Sequence, residues 1–290
     1  MSVAGIIIGK LKRIEITMYV LDLWPENLYS VLDIKSPMLR KITASISHWH
    51  YRHVDKLVVL SDTMRDKLLK VTGISEDKII ILPQAAEKTY EKQMHDTNIE
   101  RRFKDGFNIV FAGSITPAQS FDTIINAAKI LHNKNINDIN WIIVGDGMSR
   151  KQVEADVKNA GLSSIFFFEG QKPVGDIPKY TAIADGLIGC LVKSDLLEAT
   201  IPAKVMSYIA SGKPLLLAMD GEVQKLVNTT IKGGFAGPTE EPAKLADNIL
   251  TLYNLSITER HKIEKRLREY HFKHFERNSI LEKLYKFIFI

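Results

Sequence analysis

Short apolar runs alternate with longer amphipathic segments along most of the chain. Runs that are apolar on both faces and separated by helix-length segments are typical of parallel sheets covered by helices on both sides. The strands predicted on this basis are Ile16–Leu21, Lys56–Leu60, Ile79–Leu82, Phe107–Ala112, Asn140–Val144, Ile165–Glu169, Gly186–Leu191 and Pro214–Ala218. The pattern therefore predicts an α/β fold.

The segments between these strands carry helix signals. Ser61 precedes a predicted helix at Thr63–Thr72, and Gly73 follows it, as expected of an N-cap and a C′ glycine. Further helices are predicted at Phe121–His132, Ser149–Lys158, Ala243–Leu252, Ile257–Phe275 and Ile280–Ile290. Residues 1–9 are predicted to form a helix that precedes the first strand. They are not predicted to be a signal peptide, because no positively charged stretch precedes the apolar residues.

A polar, aperiodic stretch at Glu87–Asp105 separates two series of strands and helices, and is predicted to be the linker between domains. Only three predicted strands precede it, fewer than a complete doubly wound domain has. We therefore expect an incomplete first domain at residues 1–92 and a full second domain at 93–268. The final segment, 269–290, is predicted to be a helix that packs back on the first domain.

Composition narrows the class of protein. The chain has 290 residues and a formal charge of +5, and no apolar run reaches the roughly 18 residues of a spanning helix. Its single cysteine, Cys190, lies in an apolar stretch, which indicates a buried small side chain and a reducing cytoplasm. The basic excess fits either solvated helix faces or peripheral attachment to an anionic membrane. No nucleic-acid module is recognisable.

Two glycine turns follow predicted strands. In Phe111–Ser120 a glycine, Gly113, comes directly after a strand and before a helix, where the backbone can approach a phosphate. In Val144–Gly147 two glycines flank an aspartate at the next strand end. Each turn alone is equally compatible with an ordinary strand–helix connection, and neither is a dinucleotide fingerprint.

The segment Thr200–Pro214 has the features of an anion-binding helix. Pro202 suits a first helical turn, Gly212 suits its end, and Thr200 is a candidate cap. Lys204, one turn in, can face the same anion as the free amides at the helix N-terminus. The alternative is an ordinary capped helix with a solvent-facing lysine.

The order of these three segments resembles the nucleotide-binding half of the family 4 (group 1) GT-B glycosyltransferases. It is most similar to the bacterial branch that transfers amino sugars in surface-polysaccharide assembly, the fucosamine transferase-like enzymes. The matching segments are Asp22–Glu26, Ala118–Gln119, Phe168–Pro173 and Ile201–Lys204. The resemblance covers essentially the whole chain. It implies two Rossmann-like domains, with the first on the acceptor side and the second binding the nucleotide sugar.

The resemblance also implies roles for individual residues. The donor-binding positions would be Gly113, Ser114, Gln119, Gly145, Gly170, Gln171, Lys172, Ile201, Lys204 and Ser207. Among these, Lys204 would neutralise the diphosphate. Asp22 and Glu26 would face the donor–acceptor cleft from the first domain, and are with Lys204 the implied catalytic residues.

Several positions depart from the family pattern. Ala199 and Ser207 stand where many members have two glutamates, and Ser114 and Gln119 replace the usual basic residues of the first phosphate loop. The family also has a segment upstream of Met1, including a Gly-rich acceptor loop. A chain without that segment is expected to be poorly soluble or partly unfolded in residues 1–85. It is expected to retain donor binding with negligible transfer.

The implied reaction transfers a sugar from a nucleoside diphosphate donor, with UDP as the nucleotide, to an acceptor hydroxyl with retention of configuration. The transferred group is a hexosyl or an N-acetylamino sugar group. The expected acceptor is lipid-linked, in capsule, O-antigen or exopolysaccharide synthesis, at the cytoplasmic face of the inner membrane. No metal or other cofactor is implied. The alternatives are a truncated remnant that only binds nucleotide, and a GT-B nucleotide-sugar epimerase.

Three histidines, His48, His50 and His53, surround Trp49 in one predicted helix. Their spacing spreads them around the helix and does not form the paired arrangement of metal ligands, so no metal site is predicted. The alternative reading is an aromatic helix that faces a membrane or an acceptor.

Overall fold

A computed structural model describes residues 2–25, 36–194, 198 and 200–289. By contacts the chain divides into two compact units. The first comprises Met1–Gln84, Ala199–Ile201 and Asn278–Ile290, and the second comprises Ala85–Glu198 and Pro202–Arg277. Each unit contains a parallel sheet and helices, so the predicted α/β class is confirmed.

The elements have the following bounds. The strands are β1 (Thr17–Tyr19), β2 (Lys56–Val59), β3 (Ile79–Ile81), β4 (Phe107–Ala112), β5 (Ile139–Val144), β6 (Phe166–Gly170), β7 (Gly186–Cys190), β8 (Leu215–Ala218) and β9 (Gly234–Gly237). The helices are α1 (Ser2–Lys12), α2 (Pro37–Arg52), α3 (Asp62–Thr72), α4 (Thr97–Arg102), α5 (Phe121–Asn133), α6 (Arg150–Asn159), α7 (Ile177–Ala182), α8 (Ala203–Ser211), α9 (Glu222–Gln224, continued as a π-helix at Lys225–Ile231), α10 (Pro242–Tyr253), α11 (Ile257–His274) and α12 (Arg277–Phe289).

The first unit has a three-stranded parallel sheet in the order β1-β2-β3. Its central strand is buried from Leu57 to Val59. Helix α3 begins at Asp62, one residue earlier than predicted. Ser61 caps it as predicted, with its hydroxyl accepting a hydrogen bond from the amide of Met64 at 3.1 Å, and the helix ends at Gly73 with φ of 65°. From Asn278 onward α12 belongs to this unit.

The second unit has a six-stranded sheet in the order β6-β5-β4-β7-β8-β9, with every neighbouring pair parallel. This is the doubly wound order, in which the chain starts in the middle and winds first to one edge and then to the other. The order reverses between β4 and β7. In open α/β sheets ligands bind outside the carboxyl ends of the strands at this reversal.

One strand of the second unit was not predicted. The expectation of five strands is wrong, because β9, with the sequence Gly-Phe-Ala-Gly, pairs with β8 at the sheet edge. Two of its four residues are glycines, which weaken the apolar signal by which strands are recognised. Its pairing comes from tertiary contacts with β8, not from local sequence.

The stretch at Glu87–Asp105, predicted from its polar, aperiodic sequence to be the linker between domains, has regular structure of its own. It contains a 3-10 turn at Lys88–Glu91 and helix α4. The carboxylate of Asp96 caps α4 by accepting hydrogen bonds from the amides of Asn98 and Ile99. By contacts this stretch belongs to the second unit, which begins at Ala85.

Candidate functional site

An open pocket of about 440 Å³ lies at the carboxyl ends of β4, β5 and β6 in the second unit. It is lined by Tyr90, Ala112, Gly113, Ser114, Val144, Gly145, Asp146, Gly147, Gln171, Lys172, Val174 and Ile177. The pocket brings together five of the predicted donor-binding residues, namely Gly113, Ser114, Gly145, Gln171 and Lys172.

The two glycine turns of the pocket are bonded to each other through their backbones. The amide of Gly113 donates a hydrogen bond to the carbonyl of Val144 at 3.0 Å. The amide of Ile115 donates a hydrogen bond to the backbone carbonyl of Asp146 at 2.9 Å. A Cβ atom on Gly145, which has φ of 147°, would overlap the carbonyl of Gly113. Glycine therefore permits the close approach of the two turns, and leaves backbone exposed on the pocket wall.

Lys204 comes from the first turn of α8. This helix begins at Ala203 with Pro202 at its N-cap position, so the prediction that Pro202 lies within the first turn and Thr200 caps the helix is wrong. The helix ends at Gly212, as predicted, with φ of 71°.

The amine of Lys204 sits in a largely apolar setting beside the first glycine turn. It donates a hydrogen bond to the side-chain oxygen of Gln119. Its Cε lies 2.8 Å from the place that a Cβ on Gly113 would occupy. Burial lowers the pKa of Lys204 to about 7. Among the residues that the structure describes, no carboxylate lies within ion-pair distance of this amine.

The other end of the pocket is supported by Glu169, whose side chain is 9% exposed. Its carboxylate pairs with the guanidinium of Arg102 at 2.6 Å and accepts a hydrogen bond from the hydroxyl of Tyr180 at 2.9 Å. The next residue, Gly170, accepts a hydrogen bond from the amide of Gly145 at 2.9 Å. The loop that carries Gln171 is thus tied to α4, α7 and β5.

Asp146 forms the rim between the two glycines. Its carboxylate accepts a hydrogen bond from the amide of Gly147 at 2.7 Å and pairs with Arg150 at 3.1 Å. These two partners, the amide first, lower the pKa of Asp146. The rim therefore carries a negative charge that is balanced by a neighbouring arginine.

Other predicted residues lie apart from this pocket. Ser207 is one turn further along α8, and its hydroxyl donates to the carbonyl of Ala203 at 3.3 Å. Ile201 groups with the first unit by contacts, as does Asp22, which is exposed just after β1. Glu26 lies outside the described residues.

Seven lining residues were not among the predicted donor-binding positions: Tyr90, Ala112, Val144, Asp146, Gly147, Val174 and Ile177. Asp146 stands between two glycines that were singled out, so the turn itself was a usable signal. Val174 and Ile177 lie two and five residues after the predicted Gly170–Lys172 positions. Tyr90 lies in the polar stretch, and no local pattern there pointed to a site.

The three histidines lie on or just after α2, where the ring of Trp49 stacks on that of His53 with centroids 4.4 Å apart. Burial lowers the pKa of His50. Within the described ranges no three His, Cys, Asp or Glu side chains cluster as metal ligands would. In the same ranges no helix combines the length and apolar character needed to cross a bilayer.

The sequence profile of the family described as glycosyl transferases group 1 matches residues 93–271, more than half of the chain. The chain belongs to this family. The matched span covers the six-stranded sheet and all of the pocket lining except Tyr90.

Among characterised relatives, a 2-deoxystreptamine glucosyltransferase of Streptomyces kanamyceticus is 24% identical over 221 residues. That alignment covers 70% of this group 1 chain and 57% of the relative, so the chain spans little more than half of that relative's length.

Solved structures share the fold. The Anabaena protein HepE, in complex with UDP and glucose, superposes with a TM-score of 0.75 at 14% identity, covering 98% of this chain and 74% of HepE. A glycosyltransferase of Rickettsia africae superposes with a TM-score of 0.73 at 18% identity, covering 99% of this chain and 79% of the other. The fold of the chain is thus that of the GT-B glycosyltransferases, with two parallel sheets.

Proposed function

We propose that the chain is a glycosyltransferase that moves a sugar from a UDP-sugar to an acceptor hydroxyl with retention of configuration. The observation that carries this proposal is the amine of Lys204, held beside Gly113 at the reversal of the sheet. No described carboxylate pairs with it. A partly buried amine in such a setting is suited to an incoming anion.

The chemistry follows from where negative charge develops. When the bond between the sugar and the diphosphate breaks, the leaving diphosphate gains charge. Lys204 and the free amides at the N-terminus of α8 can stabilise that charge, so the proposed reaction needs no divalent metal. A stabilising group that is fixed before the reaction contributes more than one that must reorganise.

One observation favours a uridine nucleotide, and two others bear on which sugar that nucleotide carries. HepE shares the fold and is known in complex with UDP and with UDP-glucose. The relative from Streptomyces is a glucosyltransferase, whereas the Ala118–Gln119 and Phe168–Pro173 segments resemble the amino-sugar branch. The sugars to test first are therefore glucose and N-acetylglucosamine.

The surface of the first unit supports a lipid-linked acceptor at an anionic membrane, on the cytoplasmic side, as in polysaccharide synthesis. Helices α1 and α2 pack together. Their exposed large apolar side chains are Val3, Ile7, Ile8, Leu11, Met38, Leu39, Ile42, Ile46 and Trp49. Exposed basic side chains alternate with them, namely Lys10, Lys12, Arg13, Arg40 and Lys41. Apolar side chains with a basic border are typical of helices that lie in a membrane interface.

The proposal is tested by titrating the purified chain with UDP, ADP and GDP in a calorimeter, and then measuring UDP release from UDP-glucose and UDP-N-acetylglucosamine. UDP is expected to bind tightest, and one of the two sugars to give acceptor-dependent release. The absence of any UDP heat at millimolar ligand would overturn the proposal. UDP binding without release on any acceptor would favour a nucleotide-binding role without transfer.

The membrane part is tested separately by sedimentation with vesicles. Binding to vesicles that contain an anionic lipid, and not to purely zwitterionic ones, is the expected result. Exchanging Lys41 and Arg40 for glutamines should weaken it. Equal binding to both kinds of vesicle, or to neither, would contradict it.

A further inference from the structure

The turn at Lys88–Glu91 precedes the span that matches the family profile, yet it forms part of the pocket. It packs against α7 and against α8, the helix of Lys204. One of its side chains, Tyr90, lines the pocket together with Val174 and Ile177. The turn therefore bridges the two helices that border the nucleotide site.

The turn is anchored by its neighbour in sequence. The carboxylate of Glu91, 14% exposed, faces the Nε2 atom of His271 at 3.1 Å, and the imidazole of His271 is 1% exposed within α11. Further along the same stretch, Arg102 pairs with Glu169 at 2.6 Å. The stretch is thus held to the second unit before α4, at Glu91, and at the last residue of α4, Arg102, and Tyr90 has a defined position on the pocket wall.

Tyr90 has a free polar group and an apolar ring. Its side chain is half-buried, and its hydroxyl makes no hydrogen bond within the described part of the chain. Burial, and next the carboxylate of Glu87, raise the pKa of Tyr90, so the phenol stays neutral at physiological pH. A neutral phenol offers a face for stacking and one hydrogen bond.

We propose that Tyr90 contacts the nucleoside part of the donor, and that Glu91 and His271 are positioning residues that hold it there. The inference rests on the proposed function and deepens it. Under the proposed function, the amine of Lys204 on α8 is the cation that binds the diphosphate. The part of the pocket wall that Tyr90 shares with Val174 and Ile177 is apolar and suits a base or a ribose face. A phenol in that setting recognises a nucleoside by stacking and through its hydroxyl.

The test divides the ligand into its parts. Uridine, UDP and inorganic pyrophosphate are titrated into the wild-type chain and into Tyr90→Ala and Tyr90→Phe. Tyr90→Ala is expected to weaken uridine and UDP by the same factor, about 10-fold, the size typical of one lost stacking contact. Pyrophosphate binding should be unchanged. Tyr90→Phe should retain most of the affinity if the ring dominates, and lose part of it if the hydroxyl bonds to the nucleoside.

Two further variants complete the design. Tyr285→Ala removes an exposed tyrosine of α12 in the first unit and should leave all three ligands unaffected. Glu91→Gln keeps the shape of the anchor but removes its charge. It should weaken uridine and UDP by a smaller factor than Tyr90→Ala while sparing pyrophosphate, a selectivity that general destabilisation would not give.

The outcomes separate the two proposals. A wild-type chain that fails to bind UDP defeats the proposed function itself. A wild-type chain that binds UDP while both Tyr90 variants bind uridine and UDP as tightly as wild type overturns the inference alone. A loss in Tyr90→Ala that extends equally to pyrophosphate also overturns it. If Tyr90→Ala does not fold, as judged by its thermal transition, the Glu91→Gln titration decides, and uridine and UDP affinities equal to those of the wild type then overturn the inference.

Discussion

The amine of Lys204 lies 3.7 Å from the centre of the Phe111 ring, above its face. Phe111 belongs to β4 and is fully buried, so the aromatic face is a fixed part of the sheet. A ring face attracts a cation through its quadrupole but carries no formal charge. The arrangement offsets part of the cost of burying the ammonium group and leaves it available to an anionic ligand.

The first prediction concerns Lys204→Met, which keeps an unbranched side chain over the ring and removes the charge. UDP binding should weaken by about 1.5–3 kcal/mol, the size of a hydrogen bond to a charged group. Uridine binding should be unchanged, because uridine has no phosphate. Calorimetry with both ligands measures this, and equal losses for both would show that Lys204 is only structural.

The second prediction is that UDP affinity falls as the pH rises through about 7. Burial lowers the pKa of Lys204 from 10.5 to about 7, so in the ligand-free protein the amine of Lys204 loses its proton above that pH. The anion prefers the protonated amine, and binding above pH 7 must therefore take up a proton. Calorimetry at pH 8 in two buffers of different ionisation enthalpy should show this uptake.

The control for this titration is Lys204→Met, which should abolish both the proton uptake and the fall in affinity above pH 7. The stability of the ligand-free protein should change in the opposite direction. Between pH 7 and 10.5 the unfolded chain binds more protons at this lysine than the folded chain does, so stability rises with pH. Proton release on binding, or an unchanged profile in the variant, would contradict the assignment.

The parts of the fold and site that were predictable from sequence depend on local signals. Gly113 and Gly145 each follow a continuous apolar run, and parallel strands bring such turns to one edge of a sheet. Lys204 follows a proline near a helix start. Each of these signals spans only a few residues, and the periodicity of the flanking strands and helices reinforces it.

The features that were missed depend on contacts between distant residues. Strand β9 is recognisable only by its pairing with β8, because its glycines obscure the apolar pattern. Tyr90 is placed in the pocket by a turn that packs on α7 and α8 and by Glu91, which pairs with a histidine 180 residues away. Such placements are set by tertiary packing, so a polar stretch in the sequence gives no sign of them.

The third prediction concerns Glu169, which joins α4 and α7 to the strand that precedes Gln171. Glu169→Ala leaves the hydroxyl of Tyr180 and the guanidinium of Arg102 without their partner, and such a loss costs about 1–3 kcal/mol of stability. The loop after β6 should also lose its fixed position, and uridine affinity should fall more than pyrophosphate affinity. Urea unfolding and the two titrations measure these effects. A stable variant with unchanged uridine affinity would show that the network does not position the loop.

The last prediction is that Gly145→Ala destabilises the second unit and removes nucleotide binding. A methyl group at residue 145 would overlap the carbonyl of Gly113, and neither backbone can move freely because the two turns are bonded through Val144 and Asp146. Overpacking costs about 1–3 kcal/mol, and the backbone at φ of 147° adds about 1 kcal/mol or more for a residue with a side chain.

The expected loss in the free energy of unfolding for Gly145→Ala is therefore about 2–4 kcal/mol, measured by urea denaturation. Gly175→Ala is the matched control in the same unit, because a Cβ there meets nothing within 4 Å. That control should lie within about 0.5 kcal/mol of wild type, as most unconstrained surface changes do. If Gly145→Ala is as stable as Gly175→Ala and still binds UDP, the close approach of the two turns is not required for the site.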